Sequence, residues 1–320
     1  MRDGIVSGDN HGVQRFHNQV TFMQGVNGVM NGGTTYYVDS SRSASGNGKE
    51  WDQAFITISE AVAASLAAGG TYDTILIKGT DNAETSGTIT NDYSETVIIA
   101  AAQVGLRIIG IGNSSKGIAW TCGTQDDAIL TINAKDCYVS GFHLRPNGAA
   151  TGCGIYFMCS HDMTDNAVGS TVENCLIRST TETALAGIRI NAANDITIKN
   201  CILSSVVTGI ASIEDGGSVQ YRTIIEDCFV DNKCTNGFVV GGISMLIKNN
   251  ALSSGLTSVI DTTGHTSSTD NVVTGNTLQV TAYETQCTGE AADVWLGNYC
   301  NDVASSMVGA SGVTIGIPTG

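Results

Sequence analysis

A chain of 320 residues has room for one large buried core or two ordinary ones. Charged residues make up 14% and hydrophobic ones 42%, which excludes a disordered polymer; 15 Lys and Arg against 30 Asp and Glu leave a net charge of −15, which excludes an extended nucleic-acid-binding surface. No run of 18 apolar residues exists to span a membrane, and the opening MRDGIVSGDN has no apolar stretch of the signal-peptide kind, so export by the general secretory route is not expected.

Residues 1–33 carry Phe16, Val20, Phe22 and Met23, with Val26, Val29 and Met30, scattered among glycines and asparagines. Apolar residues this sparse do not make a core. They suit an arm that docks on a partner through Phe16, Val20, Phe22 and Met23, or a strand or helix that closes the first turn of the next unit. Residues 34–71 read as a cap. TTYYVDSS at 34–41 is a strand, a polar loop follows, and AFITISEAVAASL is an amphipathic helix with Phe55, Ile58, Val62 and Leu66 on one face. Thr57 and Glu60 form a capping box, and Gly69-Gly70 stops the helix. YDTILIKG at 72–79 then opens the first rung of the following unit.

This leading segment, YYVDSS…GNGKEWDQAFITISEAV…YDTILIKG, resembles the opening of the pectate-lyase-like right-handed β-helix superfamily, in which a strand, a glycine-bearing loop with a Trp, a capping helix and a second strand recur in that order. The resemblance covers roughly residues 34–300 and implies a right-handed parallel β-helix. It selects no activity, because the superfamily holds polysaccharide lyases, hydrolases, phage tailspikes, adhesins and structural spikes.

Residues 72–300 support the same fold from their own repeats. VENCLI at 172–177, IKNCIL at 198–203 and IEDCFV at 225–230 are copies of one pattern, which continues in IKNNAL, VTGNTL and WLGNYC downstream and in VSGFHL and IIGIGN upstream. The third position reads Gly110, Gly141, Asn174, Asn200, Asp227, Asn249, Gly275 and Gly297, the residue types that tolerate a left-handed backbone, so a tight bend is expected in every copy. The fourth position runs from Ile111 and Phe142 through Cys175, Cys201 and Cys228 to Asn250, Asn276 and Asn298. Stacked on successive rungs, thiols pack and amides hydrogen-bond along a ladder. The copies are spaced 22 to 33 residues apart, as fixed turns carrying loops of different length would be. A second column, GIYF, GIRI, GIAS and GFVV, falls between copies and adds a strand with its own preceding bend. Two or more short strands per repeat of this length describe an all-β solenoid, a parallel β-helix. Cys175, Cys201 and Cys228 would lie about 4.8 Å apart with parallel side chains, so unbridged buried thiols are expected. The remainder, 301–320, alternates Val313, Ile315 and Ile317 as an edge strand. Such an edge is best covered by pairing with another copy.

Catalytic patterns are thin. Glycan hydrolysis needs two carboxylates about 5–9.5 Å apart; the candidates are Glu214 and Asp215, Glu226 with Asp227, or Asp261 and Asp270. A pectate-type lyase would show clustered Asp ligands beside an Arg or Lys base, and Arg189 stands alone on its strand face. CGIYFMCSH and CFVDNKC lack zinc-site spacing. No cofactor or metal is expected. The expected function is that of a structural bacteriophage virion protein, a capsid decoration, head spike or short fibre. It would dock through its N-terminal region on other virion proteins and form a homo-oligomer, with three copies implied by the resemblance. Its place would be the virion, assembled in the host cytoplasm, where thiols stay reduced. The alternatives are a tailspike-like polysaccharide hydrolase or lyase, and an adhesin that binds host glycan.

Overall fold

The computed structural model describes residues 33–79, 92–112, 118–124, 127–148, 152–159, 166–179, 183–213, 220–263, 268–301, 307–308 and 314–315. The chain divides into two compact units, Met1–Gly32 and Gly33–Gly320. The first lies outside the described residues, and with it Phe16, Val20, Phe22 and Met23.

The second unit is a parallel β-helix with three sheets. The first sheet has ten strands: Thr35–Asp39, Thr74–Lys78, Arg107–Ile111, Tyr138–Ser140, Thr171–Glu173, Thr197–Lys199, Ile224–Glu226, Leu246–Lys248, Val272–Thr274 and Val294–Leu296. A nine-stranded sheet runs from Tyr93–Ser94 to Tyr299–Cys300, and an eight-stranded one from Val97–Ile99 to Cys287–Thr288. The chain visits the first, second and third sheets in turn and returns one rung along, always pairing in parallel; such connections coil right-handed.

One seven-residue module explains the regularity. In Asp195–Cys201 the first and sixth residues have positive φ (Asp195 56°, Asn200 49°), Ile196, Ile198 and Cys201 are buried, and Thr197 and Lys199 face outward. The exit bend of the first sheet is held at positive φ by Gly141, Asn174, Asn200, Asp227, Asn249, Gly275 and Gly297, as expected. Gly110 departs from that column. It continues the strand Arg107–Ile111, paired with Ile77, so Ile111 is left exposed rather than stacked in the core. Gly110 is required instead by contact: a Cβ there would sit 2.4 Å from the carbonyl oxygen of Gly141 on the next coil. The same holds for the third-sheet glycines expected to follow bends. Gly187 lies inside the strand Ala186–Asn191, where a Cβ would meet Leu203 Cδ2 and the Gly209 carbonyl oxygen, each at 2.7 Å.

The corner after the exit bend carries the stacked ladder. Asn250 Nδ2 donates to Asn276 Oδ1 (3.0 Å) and Asn276 Nδ2 to Asn298 Oδ1 (2.9 Å). Each amide also donates to a carbonyl of the preceding coil, at Ile225, Ile247 and Val273. Their oxygens accept the backbone N–H groups of Cys228, Asn250 and Asn276. Upstream a thiol occupies the position, donating to the carbonyl two residues earlier: Cys175 to Glu173 (3.4 Å), Cys201 to Lys199 (3.3 Å) and Cys228 to Glu226 (3.3 Å). The ten cysteines are thiols, nine of them buried. Burial lifts Cys137 and Cys153 to about 12. At Cys201 the hydrogen bond with Cys228, followed by burial, pushes the thiol well above its ordinary value.

The N-terminal end is closed by the helix Ile58–Ala67. Thr57 and Glu60 form the expected capping box, and Glu95 accepts the N–H groups of Ile58 and Ser59 at 2.8 Å each. The buried face is Ile58, Ala61, Val62 and Ser65, and Leu66 is 43% exposed, contrary to the expected face. Small Ala61 and Ser65 let the helix approach closely on that side, which rotates Leu66 outward. Thr35–Asp39 is the first rung itself, not a separate cap strand, because it pairs with Thr74–Lys78. Its outer edge is covered by the chain: Tyr37 N–H donates to Gly48, and Phe55 exchanges bonds with Tyr37 and Asp39. In the tail, Thr314–Ile315 pairs antiparallel with Met307–Val308, while positions 313 and 317 lie outside the described residues.

Asn276→Ala removes the acceptor for two donors of Asn250 and the donor to Ile247, and is expected to cost about 3 kcal/mol or more. Asn276→Cys, which copies the upstream solution, is expected to cost clearly less; urea denaturation of both variants checks the order. At Glu60 burial raises the carboxyl, and hydrogen bonds from Ser45 and Thr57 more than reverse it, leaving the pKa below the ordinary value. Its contribution is complete above the unfolded value, about 4.3, and is lost as pH falls through the folded value. Protection against hydrogen exchange in helix Ile58–Ala67, relative to the unstructured rate at the same pH, should therefore fall in acid before protection in the sheets, and Glu60→Gln should remove that step.

Candidate functional site

The carboxylates singled out in the sequence fall in separate places. Glu214 and Asp215 lie outside the described residues. Asp261 ends the third-sheet strand Ser258–Asp261, and its Oδ1 accepts the Thr263 N–H (2.9 Å) and hydroxyl (2.6 Å), closing a local turn. Asp270 has φ 58° and forms the bend that opens the strand Val272–Thr274. Asp227 holds the exit bend at φ 53°. Arg189 is on the outward face of the third sheet, its guanidinium 5.0 Å from the Tyr156 ring centroid, with a buried Nε that lacks a hydrogen-bond partner. Among the described residues no group of His, Cys, Asp and Glu is arranged to hold a metal ion, and His161 lies outside them.

The structure brings together a different set, on the outward face of the first sheet. Parallel register places Glu173, Lys199, Glu226 and Lys248 on four successive coils. Lys248 Nζ is 2.7 Å from Glu226 Oε2, and Lys199 Nζ is 3.9 Å from Glu226 Oε1. The Tyr138 hydroxyl donates to Glu173, and the Arg107 guanidinium lies 4.7 Å over the Tyr138 ring centroid. Burial raises the Tyr138 pKa, and the Glu173 acceptor raises it further. The hydrogen bond to Glu226 raises that of Lys248. Beside this ionic column runs a second outward column that becomes apolar toward the C-terminal coils: Thr171, Thr197, Ile224, Leu246, Val272 and Val294. At the bend corner, Arg222 forks onto Asp195 across one coil, Nε to Oδ1 at 2.6 Å and Nη2 to Oδ2 at 2.7 Å.

The signal for the ionic column was present in the repeats: the residue before the bend reads Glu, Lys, Glu, Lys in VENC, IKNC, IEDC and IKNN. In a parallel in-register stack alternating signs attract and repeated signs repel, so the column supports the register it depends on. Arg107 and Tyr138 carried no such signal, because they belong to less regular copies.

No family model matches the chain, and no curated protein matches it. Among solved structures a rhamnogalacturonan lyase is similar over 83% of this chain and 87% of that one, at 11% identity and a TM-score of 0.36. A likeness of that degree carries no argument about chemistry, and the fold rests on the strand register above.

Glu226→Gln should return Lys248 toward the ordinary lysine value, about 10.4, in an NMR titration of its side-chain amine. An unchanged value would show that the pair observed at 2.7 Å does not hold in solution.

Proposed function

We propose that this chain is a structural, non-enzymatic β-helix of a bacteriophage virion, a capsid decoration, head spike or short fibre. It docks through its N-terminal region on other virion proteins and projects the solenoid. The observation that carries the reading is the use made of surface carboxylates. Glu226 bridges two lysines on neighbouring coils, Glu173 accepts from Tyr138, Asp195 is forked by Arg222, and Asp261 closes a turn. The first three hold one coil on the next and Asp261 holds its own turn, and a carboxylate so engaged is a poor nucleophile or general acid. Buried thiols agree with a protein assembled in a reducing cytoplasm.

A second reading, a tailspike-like module that binds or cleaves host glycan, is favoured by one observation. Arg189 stacks on Tyr156 with its Nε buried and unpartnered, an arrangement suited to an acidic group on a ligand.

Sedimentation of the full chain with purified phage capsid shells and with tails separates the two. The chain should pellet with one of them, and deletion of residues 1–33 should abolish this. New reducing ends or unsaturated uronate ends in capsular polysaccharide treated with the chain would overturn the structural reading in favour of the second.

A further inference from the structure

We propose that the outward face of the first sheet is a self-association surface, and that its partner is a second copy of this chain packed antiparallel about a two-fold axis. The chain as a whole carries −15, so two copies repel over most of their surface. On the described outward positions of the first sheet the signs nearly balance: Lys78, Arg107, Lys199 and Lys248 against Asp39, Glu173 and Glu226. This face therefore has no net repulsion to overcome.

The order of charges then selects the symmetry. A two-fold axis lying along the strand direction keeps each outward column opposite its own copy and reverses the order of the coils. The column Glu173, Lys199, Glu226, Lys248 reads −, +, −, +, and its reverse reads +, −, +, −. With the axis between the coils of Lys199 and Glu226, Lys199 meets Glu226 of the copy and Glu173 meets Lys248 of the copy. The pairs join the bridges already present within each chain into a network, which is worth more than isolated surface pairs.

In the same register the rest of the face meets mostly apolar or neutral partners, with one charge, Arg107, set against Val294 of the copy. Ile224 meets Thr197 of the copy, Val272 meets the Tyr138 ring and Leu296 meets Ile109. Leu296 is 55% exposed in the single chain, and this contact covers it. Moving the axis onto the coil of Glu226 sets that carboxylate against its own copy. A parallel pairing, or a three-fold arrangement about an axis along the solenoid, sets the apolar column Ile224–Leu246–Val272 against the ionic one and desolvates charge without partners. On this face the number of copies is two, in place of the three that the sequence resemblance implies.

The test uses charge reversal with rescue. By light scattering the full chain should have twice the 33.2 kDa chain mass at micromolar concentration. Lys248→Glu sets two carboxylates together at both symmetry-related contacts with Glu173, and Glu173→Lys sets two amines together there. Each variant alone should be monomeric, with its fold checked by circular dichroism. An equimolar mixture should regain the doubled mass, because in the mixed pair every contact is again between opposite charges. No effect within a single chain can produce that recovery. A monomeric or trimeric parent chain, or a mixture that stays monomeric while both variants are folded, would overturn the proposal.

Discussion

The coil of this solenoid closes because the backbone reverses hand at both ends of every regular first-sheet strand. A residue with positive φ turns the chain into the sheet, a three-residue strand crosses it, and a second such residue turns the chain out. For a residue with a Cβ that conformation costs about 1–2 kcal/mol. The cost is offset by what the bend places inside: the residue after each bend points into the core, where it stacks on its counterpart one coil away. At the exit corner these are the thiols and amides from Cys175 to Asn298. At the opening corner they include Leu106, Cys137, Ser170, Ile196, Thr223, Met245 and Asn271, all buried. Asp293 ends that second ladder. It is buried, accepts the Asn271 N–H (2.9 Å) and the Thr262 hydroxyl (2.6 Å), and ties the last coil to the one before it.

The same geometry determines what the surface can do. Because strands stack in register, a side chain facing outward on one coil has its counterpart directly above it, and chemistry accumulates in columns rather than clefts. Columns of alternating charge and of aliphatic residues are well suited to holding coils together and to meeting another flat surface. They are less suited to surrounding a substrate. The proposed structural role and the proposed two-fold pairing both follow from this, although they rest on different residues: engaged carboxylates in the first case, the order of charges along one column in the second.

Much of the fold could be read from the chain. Asn174, Asn200, Asp227 and Asn249, followed by Cys or Asn, marked the exit bend because few residue types accept a left-handed backbone and are also polar enough to stay exposed there. The opening bend could not be read the same way. Tyr72, Gly105, Asp136, Gly169, Asp195, Arg222, Ser244 and Asp270 share a conformation but no chemistry, since the constraint there comes from backbone bonds between coils and leaves the side chain unspecified. Asp270 looks like a candidate acid in the sequence for this reason, and its place in the bend column emerges only when the coils are stacked. Gly110 looks like a bend in the sequence and instead marks close approach, because a glycine demanded by space and one demanded by φ are identical as letters.

The sequence by itself determined the class of fold, the capping box on its first helix, and the change of the inner ladder from thiol to amide. These depend on local backbone preference and on periodic burial, both of which are written residue by residue. Only the tertiary structure decided which outward side chains become neighbours. Glu173, Lys199, Glu226 and Lys248 are 22 to 27 residues apart from one to the next along the chain, and loops of unequal length lie between them. Their pairing is set by rung-to-rung hydrogen bonds between strands. That register brings Tyr138 to Glu173 and Lys248 to Glu226, and it makes a balanced face on a chain of strongly negative net charge.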